Sequence, residues 1–265
     1  MKPLSIWPTA LDLAWNEPDK NLSLIDDAIS RRLKDQTLVS DELLFLFPEL
    51  TLTGFVTKDP PGLVLGERPL KELAEIAAAR KIAIAAGFPE RNPADAKKPF
   101  NSLALFGSDG KLVARYRKLH LFTWGKSPES DVYSCGDKGV VCEYRGWKLG
   151  LGICFDVRFS GLFHQYARSN VDAMLISACW VGGPHKTYQY KTLCSAHAIL
   201  TQSFVAAVNR SGRDPAFEYD GAEYGFSPFG EETANGKPLV LDASALEACR
   251  KLVVRPSDRD AYEVG

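Results

Sequence analysis

The chain has 265 residues, 45% of them hydrophobic, and 32 Lys and Arg stand against 33 Asp and Glu for a formal net charge of −1. That length and composition allow one large buried core. With no basic run and no acidic tail, the charge balance excludes an electrostatic nucleic-acid binder, and no stretch approaches the ~18 apolar residues of a membrane span. The six cysteines (135, 142, 154, 179, 194 and 249) form no CxxC pair. The start, Met1-Lys2-Pro3-Leu4-Ser5, has neither an apolar signal core nor a small-residue cleavage site. We therefore expect a soluble, cytoplasmic protein with free thiols.

Leu4–Trp7 reads as a short first strand, and Asn21 as the cap of a helix whose apolar face carries Leu22, Ile25, Ile29 and Leu33. Leu43–Phe47 is apolar throughout, as in a strand covered on both faces, and Pro48 ends it just before Glu49. That position matters, because functional groups in helix-covered sheets gather beyond strand ends. Pro69 opens a helix to about Arg80, followed by a strand over 82–88 and a polar loop over 90–99. Segments 102–106 and 113–119 form a hairpin across Ser108-Asp109-Gly110. Alternation in its second strand puts Arg115 and Arg117 on one face and Ala114, Tyr116 and Lys118 on the other. Lys118 thus points away from the arginines, into the protein or into solvent.

Residues 122–136 are irregular, broken by Trp124, Gly125 and Pro128, and place Glu129 in a loop able to fold over a cleft. Segment 140–144 pairs with a strand that runs into Cys154. In that strand Leu149, Leu151 and Ile153 share one face, while Gly150, Gly152 and Cys154 share the other, so the glycines are expected to leave volume beside the thiol. A helix over 159–168, a strand over 173–177, a helix over 188–201 and a strand over 204–209 follow. A Gly/Asp/Pro loop, a turn at Ser227-Pro228-Phe229-Gly230, a strand near 239–241 and a helix near 243–252 complete the pattern. Strands and helices alternate without a linker or repeat, so residues 1–265 read as one α/β domain, its hairpins making the sheets mixed.

A free cysteine is among the most buried residue types, and Cys154 alone reads as a structural thiol as readily as a nucleophile. A nucleophile needs a base and an oxyanion holder. Of the four histidines, His164 and His197 fall inside helical patterns, while His120 lies on the Lys118 face and is the best partner for a Cys/His mechanism, though nothing in the spacing sets an orienting Asp or Asn beside it. No H-x-x-x-H or H-E-x-x-H occurs and no cysteines sit at ligand spacing, so neither a metal nor a cofactor is expected. Gly150-Leu-Gly152 lacks the third glycine and the helix of a phosphate loop, and no G-x-S-x-G elbow is present. Glu49, Lys118 and Cys154 remain, each near the end of a core strand.

These three segments resemble the nitrilase superfamily of carbon–nitrogen hydrolases. Phe47-Pro48-Glu49-Leu50 is similar to the family's general-base segment, Tyr116-Arg117-Lys118-Leu119-His120-Leu121-Phe122 to its lysine segment, and Gly152-Ile153-Cys154-Phe155-Asp156-Val157-Arg158-Phe159 to its nucleophile segment. Asn101-Ser102, Asn209-Arg210, Gly221 and Pro228-Phe229-Gly230 resemble weaker landmarks. Glu129, followed by Gly136, fits the family's second active-site glutamate. The resemblance implies a four-layer α-β-β-α sandwich, association at least to a homodimer, with the tail 252–265 across the interface, and a small-molecule amide substrate. It implies Glu49 as base, Lys118 and the Phe155 N–H as oxyanion holders, and Lys118 as the cation that favours the Cys154 thiolate. Arg158 is either the partner of a substrate carboxylate or an ion-pair partner of Asp156 or a nearby acid.

Phe155-Asp156 in place of Trp-Glu, together with Glu143-Tyr144-Arg145-Gly146-Trp147 and Cys179-Trp180, is most like the bacterial ω-amidases, which hydrolyse amides of small dicarboxylic acids; Trp180 is a candidate substrate contact. Deaminated glutathione amidase, N-carbamoyl amino acid hydrolase and a non-catalytic binding protein are the alternatives. The chain departs from the family pattern at Ser160-Gly161, where Pro-Glu is usual, at Glu223, where Ser is usual, and at Val181-Gly182-Gly183 after Trp180.

Overall fold

The structure, a computed structural model, describes residues 1–34, 42–56, 65–123, 128–233 and 236–252. Trp124, Gly125 and the tail beyond Leu252 lie outside the described residues. The first half of the chain contributes β1 (Ser5–Pro8), α1 (Pro18–Lys34), β2 (Leu43–Leu46), α2 (Glu67–Arg80), β3 (Ala83–Glu90), β4 (Phe100–Phe106) and β5 (Leu112–Arg117). The second half contributes β6 (Val141–Tyr144), β7 (Trp147–Ile153), α3 (Ser160–Arg168), β8 (Ala173–Ala178), α4 (Lys186–Thr201), β9 (Phe204–Arg213), β10 (Glu218–Phe226), β11 (Leu239–Val240) and α5 (Ala243–Leu252). Two mixed sheets result, ordered β11-β1-β2-β3-β4-β5 and β10-β9-β8-β7-β6. Each has a parallel centre, β1–β2–β3 and β7–β8–β9, flanked by antiparallel strands: β4–β5 and β11 in the first sheet, β10 and β6 in the second.

Period-two alternation explains the layering. Leu44 and Leu46 of β2 pack in one cluster with Leu149, Leu151 and Ile153 of β7, so these faces close the space between the sheets. Leu43, Phe45 and Phe47 point the other way, onto Leu22, Ile25 and Ile29 of α1 and Leu73 and Ala77 of α2. α3 and α4 cover the outer face of the second sheet, giving the expected α-β-β-α sandwich. Among the described residues no helix is long and apolar enough to cross a membrane.

Three expectations need correction. Helix α1 begins at Pro18, whose fixed φ suits a first helical turn, and Asn21 is a buried cross-brace rather than a cap. Its Oδ1 accepts the Ala14 N–H at 2.8 Å and its Nδ2 donates to the carbonyls of Ala14 and Leu52 at 2.8 and 3.2 Å. The volume at Gly150 and Gly152 does not adjoin the thiol. An added Cβ would meet the Tyr166 ring at 3.0 Å and the Phe163 ring at 3.7 Å, so the glycines admit the aromatic face of α3. The stretch taken for a Gly/Asp/Pro loop is largely β-structure: β9 runs on to Arg213 and pairs with β10 from Glu218↔Arg213 to Phe226↔Val205. Gly221, Gly225 and Asp220 hide this half-exposed edge strand from propensity, which the ladder overrides.

One carboxylate fixes the strands that lead to the site. Glu90 ends β3 and accepts hydrogen bonds from Ser102 Oγ at 2.7 Å, Arg115 Nη1 at 3.0 Å, and Arg117 Nε and Nη2 at 3.1 and 2.7 Å. Arg115 and Arg117 do share a face, and the opposite face buries Ala114, Tyr116 and, one residue past β5, Lys118. Burial opposes the charge on Glu90, but the bonds from Arg117, Ser102 and Arg115 outweigh it and hold its carboxyl below the usual range. That stabilisation is present above the ordinary glutamate pKa and is lost as pH falls through the depressed folded value. Glu90→Gln should therefore cost about 1–3 kcal/mol at neutral pH, and the deficit should shrink on acidification. Denaturant midpoints of both proteins across the acid range measure this.

Candidate active site

The site is built where strand ends from both sheets meet. Beyond β2, Phe47 keeps its ladder bond to Ala85, and the chain then turns sharply at Glu49-Leu50, with Leu50 at φ 47°. The turn presses onto β3 at Gly87. A Cβ there would lie 2.2 Å from the Leu50 nitrogen and 2.9 Å from the Glu49 carbonyl carbon, so only glycine permits this approach. Gly136 plays the matching part for the lysine segment. A Cβ on it would lie 2.4 Å from the Arg117 carbonyl oxygen, and its N–H donates to the Lys118 carbonyl at 2.7 Å. This explains physically why a glycine follows Glu129 at that spacing.

Glu49, Asn101, Lys118 and Glu129 are all fully buried. The Lys118 ammonium donates to Glu49 Oε1 at 2.6 Å and to Glu129 Oε2 at 2.7 Å. Asn101 Nδ2 bridges the same two acids from its own side, at 2.7 Å to Glu49 Oε1 and 2.7 Å to Glu129 Oε1. The second oxygen of Glu49 accepts the Cys179 N–H at 2.7 Å, and Oε2 of Glu129 also accepts the Phe122 N–H at 2.8 Å. Burial alone would strip the proton from Lys118, but Glu129 and Glu49 outweigh it and hold the ammonium pKa well above its ordinary value. Glu129 is pushed up by burial, and Glu49 beside it adds to this against the pull of Lys118.

Cys154 follows β7 directly, at φ 47° in the first position of a 3₁₀ turn over Cys154–Arg158. A left-handed non-glycine residue costs on the order of 1–3 kcal/mol, held here by the packing around the turn. The thiol opens on a cavity of about 50 Å³ lined by Phe55, Lys118, Phe122, Phe155, Arg158, Cys179, Trp180, Val181 and Lys186. Its pKa lies well above the usual thiol value, raised first by burial and then by Glu49, against the opposing pull of Lys118. Lys118 does pull the thiol's pKa down, as expected, but burial and Glu49 outweigh it, so the net shift is upward and a base is needed to remove the proton.

Phe155 and Phe122 meet edge to face with centroids 5.4 Å apart and form one apolar wall. Arg158 does not pair with Asp156. It donates to Gln189 Oε1 at 2.6 Å and lies over the Trp180 ring, 4.8 Å from its centroid. Trp180 is fixed on every side: its N–H and carbonyl bond the Asn209 side chain at 2.6 and 2.9 Å, and its Nε1 donates to the Lys186 carbonyl at 2.9 Å. His120 faces a different, open groove, stacked on Phe159, with Nδ1 2.8 Å from Asp156 Oδ1. The orienting acid that the spacing did not reveal does exist, but among the described residues no hydrogen bond joins His120 to Cys154. His197 is a core residue, stacked on Phe163 with Nε2 2.8 Å from the Val157 carbonyl and its pKa lowered by burial. Glu223, one of the departures, pairs with both carboxylate oxygens on Arg32 at 2.7 and 2.6 Å and accepts the Ala10 N–H at 2.9 Å, outside the cavity. Ser160-Gly161 still begins a regular α3.

Sequence reasoning missed Lys186, Cys179, Phe122 and Phe55 as lining residues and the bridging role of Asn101. Asn101 carried a signal, since it and Ser102 are the polar residues of an otherwise apolar strand. The others lie on loops or helix starts where no periodicity operates.

Residues 9–235 match the model of the carbon–nitrogen hydrolase family, and the chain belongs to that family. It is a hydrolase of carbon–nitrogen bonds. A 2-oxoglutaramate amidase of Paenarthrobacter nicotinovorans is 31% identical over 208 residues, spanning 75% of this chain and 69% of the relative. The omega-amidase NIT3 of Saccharomyces cerevisiae is 27% identical over 277 residues, spanning 95% of this chain and 93% of its own. The crystal structure of Saccharomyces cerevisiae Nit3, a member of branch 10 of the nitrilase superfamily, superposes with a TM-score of 0.84 at 23% identity, covering 98% of this chain and 97% of the other, and bears out the fold.

Gly87→Ala tests the strained approach at Glu49. Backbone atoms cannot yield as a flexible side chain would, so about 1–3 kcal/mol of stability should be lost, and Glu49 displaced, with at least a tenfold fall in turnover of whichever amide the protein hydrolyses. Thermal melts and steady-state kinetics report the two effects separately.

Proposed function

We propose that the protein is an ω-amidase-type hydrolase that releases ammonia from the monoamide of a small dicarboxylic acid, of the α-ketoglutaramate or succinamate kind. The observation that carries this reading is the charge pattern of the cavity: Arg158 and Lys186 line the same small, aromatic-walled space as Cys154. Among the described residues neither cation has a carboxylate partner. A short acyl chain with an amide at one end and a carboxylate at the other satisfies the thiol and the cations together. The names of the two relatives point the same way.

In the proposed reaction Glu49 takes the Cys154 proton as sulfur bonds to the amide carbon. The Lys118 ammonium and the Phe155 N–H receive the oxyanion, each such donor typically being worth about 3–4 kcal/mol. Glu49 returns the proton to the nitrogen, the C–N bond breaks and ammonia leaves. Water, deprotonated by Glu49, then opens the thioester and restores the thiol. Glu129 keeps Lys118 charged and aimed. Trp180 holds Arg158 over the cavity. A cytoplasmic setting and association at least to a homodimer belong to the same proposal, on the strength of the family resemblance.

Ammonia release from α-ketoglutaramate and succinamate, beside carbamoyl acids, nitriles and longer amides, tests the reading. The ω-amides should be turned over fastest, Cys154→Ala should abolish turnover with the fold intact, and Arg158→Gln should raise KM for them by about tenfold or more while leaving neutral amides little changed. Faster release of carbon dioxide with ammonia from carbamoyl acids would move the substrate class, and normal ammonia release by Cys154→Ala would sink the mechanism.

A further inference from the structure

Asp156 is fully buried two residues past the nucleophile, yet it faces neither the cavity nor a cation. Four donors converge on it. Oδ2 accepts the Tyr116 hydroxyl at 2.7 Å and the Ile153 N–H at 2.9 Å; Oδ1 accepts the His120 N–H at 3.0 Å and lies 2.8 Å from His120 Nδ1. Three of these donors belong to residues that flank Lys118 in sequence, Tyr116 before it and His120 after it. The fourth belongs to Ile153, the residue just before Cys154. The Tyr116 hydroxyl in turn accepts the Leu119 N–H at 3.2 Å.

A parallel aromatic path runs beside these bonds. His120 stacks on Phe159 at 3.7 Å, Phe159 meets Phe155 edge to face at 5.3 Å, and Phe155 meets Phe122, whose N–H holds Glu129. On the opposite side, the turn is fixed to α4 through His197 and the Val157 carbonyl.

We propose that Asp156 is a positioning residue: it ties the left-handed turn bearing Cys154 and the Phe155 N–H to the segment bearing Lys118, and so sets the distance between nucleophile and oxyanion holders. The inference rests on the reading of Cys154 as the nucleophile. A carboxylate suits the task because both its oxygens accept, so all four donors are satisfied at once, whereas an amide of the same shape turns one oxygen into a donor that faces two others. The turn relaxes from its strained φ when that grip is lost.

The test uses the full chain, with Asp156→Asn and the milder Tyr116→Phe. Cys154 is titrated with iodoacetamide and the modified site identified by mass spectrometry, which gives an alkylation rate that needs no knowledge of the substrate. Turnover is expressed per alkylatable Cys154. Asp156→Asn should lower kcat per site by about 100-fold with KM changed less than about threefold, and slow alkylation by a similar factor; Tyr116→Phe should shift both the same way by about three- to tenfold. A lower melting temperature with normal kcat per site and normal alkylation in Asp156→Asn would overturn the proposal and leave a purely structural role. Should that variant not fold, unchanged alkylation and turnover in Tyr116→Phe would overturn it equally. If no ω-amide is hydrolysed but alkylation slows as expected, the substrate reading fails and the positioning role stands.

Discussion

Everything in this protein's interior is arranged around one ammonium held between two carboxylates. Lys118 cannot be buried without Glu49 and Glu129, and neither acid can be buried ionised without it. Each comes from a different part of the chain, the end of β2, the end of β5 and the loop beyond, so the ion cluster forms only when the sheet has assembled. Asn101 and the N–H groups of Phe122 and Cys179 complete the coordination of the acids. The desolvation cost is met by short, charge-assisted bonds rather than by solvent, and the packing of two sheets supplies the rigidity those bonds require.

A second constraint is steric. Two non-glycine residues, Leu50 and Cys154, sit in the left-handed region at the two points where the chain must leave a core strand and present a functional group. Both turns are over-determined by their surroundings, Gly87 beneath the first and α4 beneath the second. Rotating Cys154 out of its strand's alternation explains how the thiol reaches the cavity between the sheets, although its neighbours Gly150 and Gly152 face α3.

Much of this was legible in the residues. Buried strands such as Leu43–Phe47 declare themselves by apolar runs, and the Arg115/Arg117 alternation forecast the direction of Lys118. Glu49, Lys118 and Cys154 each announce themselves as polar groups just past such strands. The net direction of the thiol's pKa shift was not legible, because it is a balance of burial against opposing charges set by distant parts of the chain. Nor was β10, whose glycines and charges conceal a strand fixed by its partner. Asp156 read as a possible ion-pair partner of Arg158; its true donors are a phenol, an imidazole and two backbone amides, contacts between segments that no local period encodes.

The buried cluster also has a bookkeeping of charge that bears on how stiff the protein can be. In the proposed reaction the charge to follow is the sum over Cys154, Glu49, Glu129 and Lys118, with Arg158 and Lys186 as separate cations on the cavity wall. When the sulfur's proton moves to Glu49 and an oxyanion forms, that total is unchanged; ammonia leaves uncharged, and the water that follows enters uncharged. Until the thioester is hydrolysed, no ion has to cross the apolar walls of Phe55, Phe122 and Phe155 at the reacting end; only the newly formed carboxyl group and its proton leave afterwards. Charge only shifts by a few ångströms among fixed groups, so the dipoles around it can be set once, during folding, and need not reorganise with each turnover.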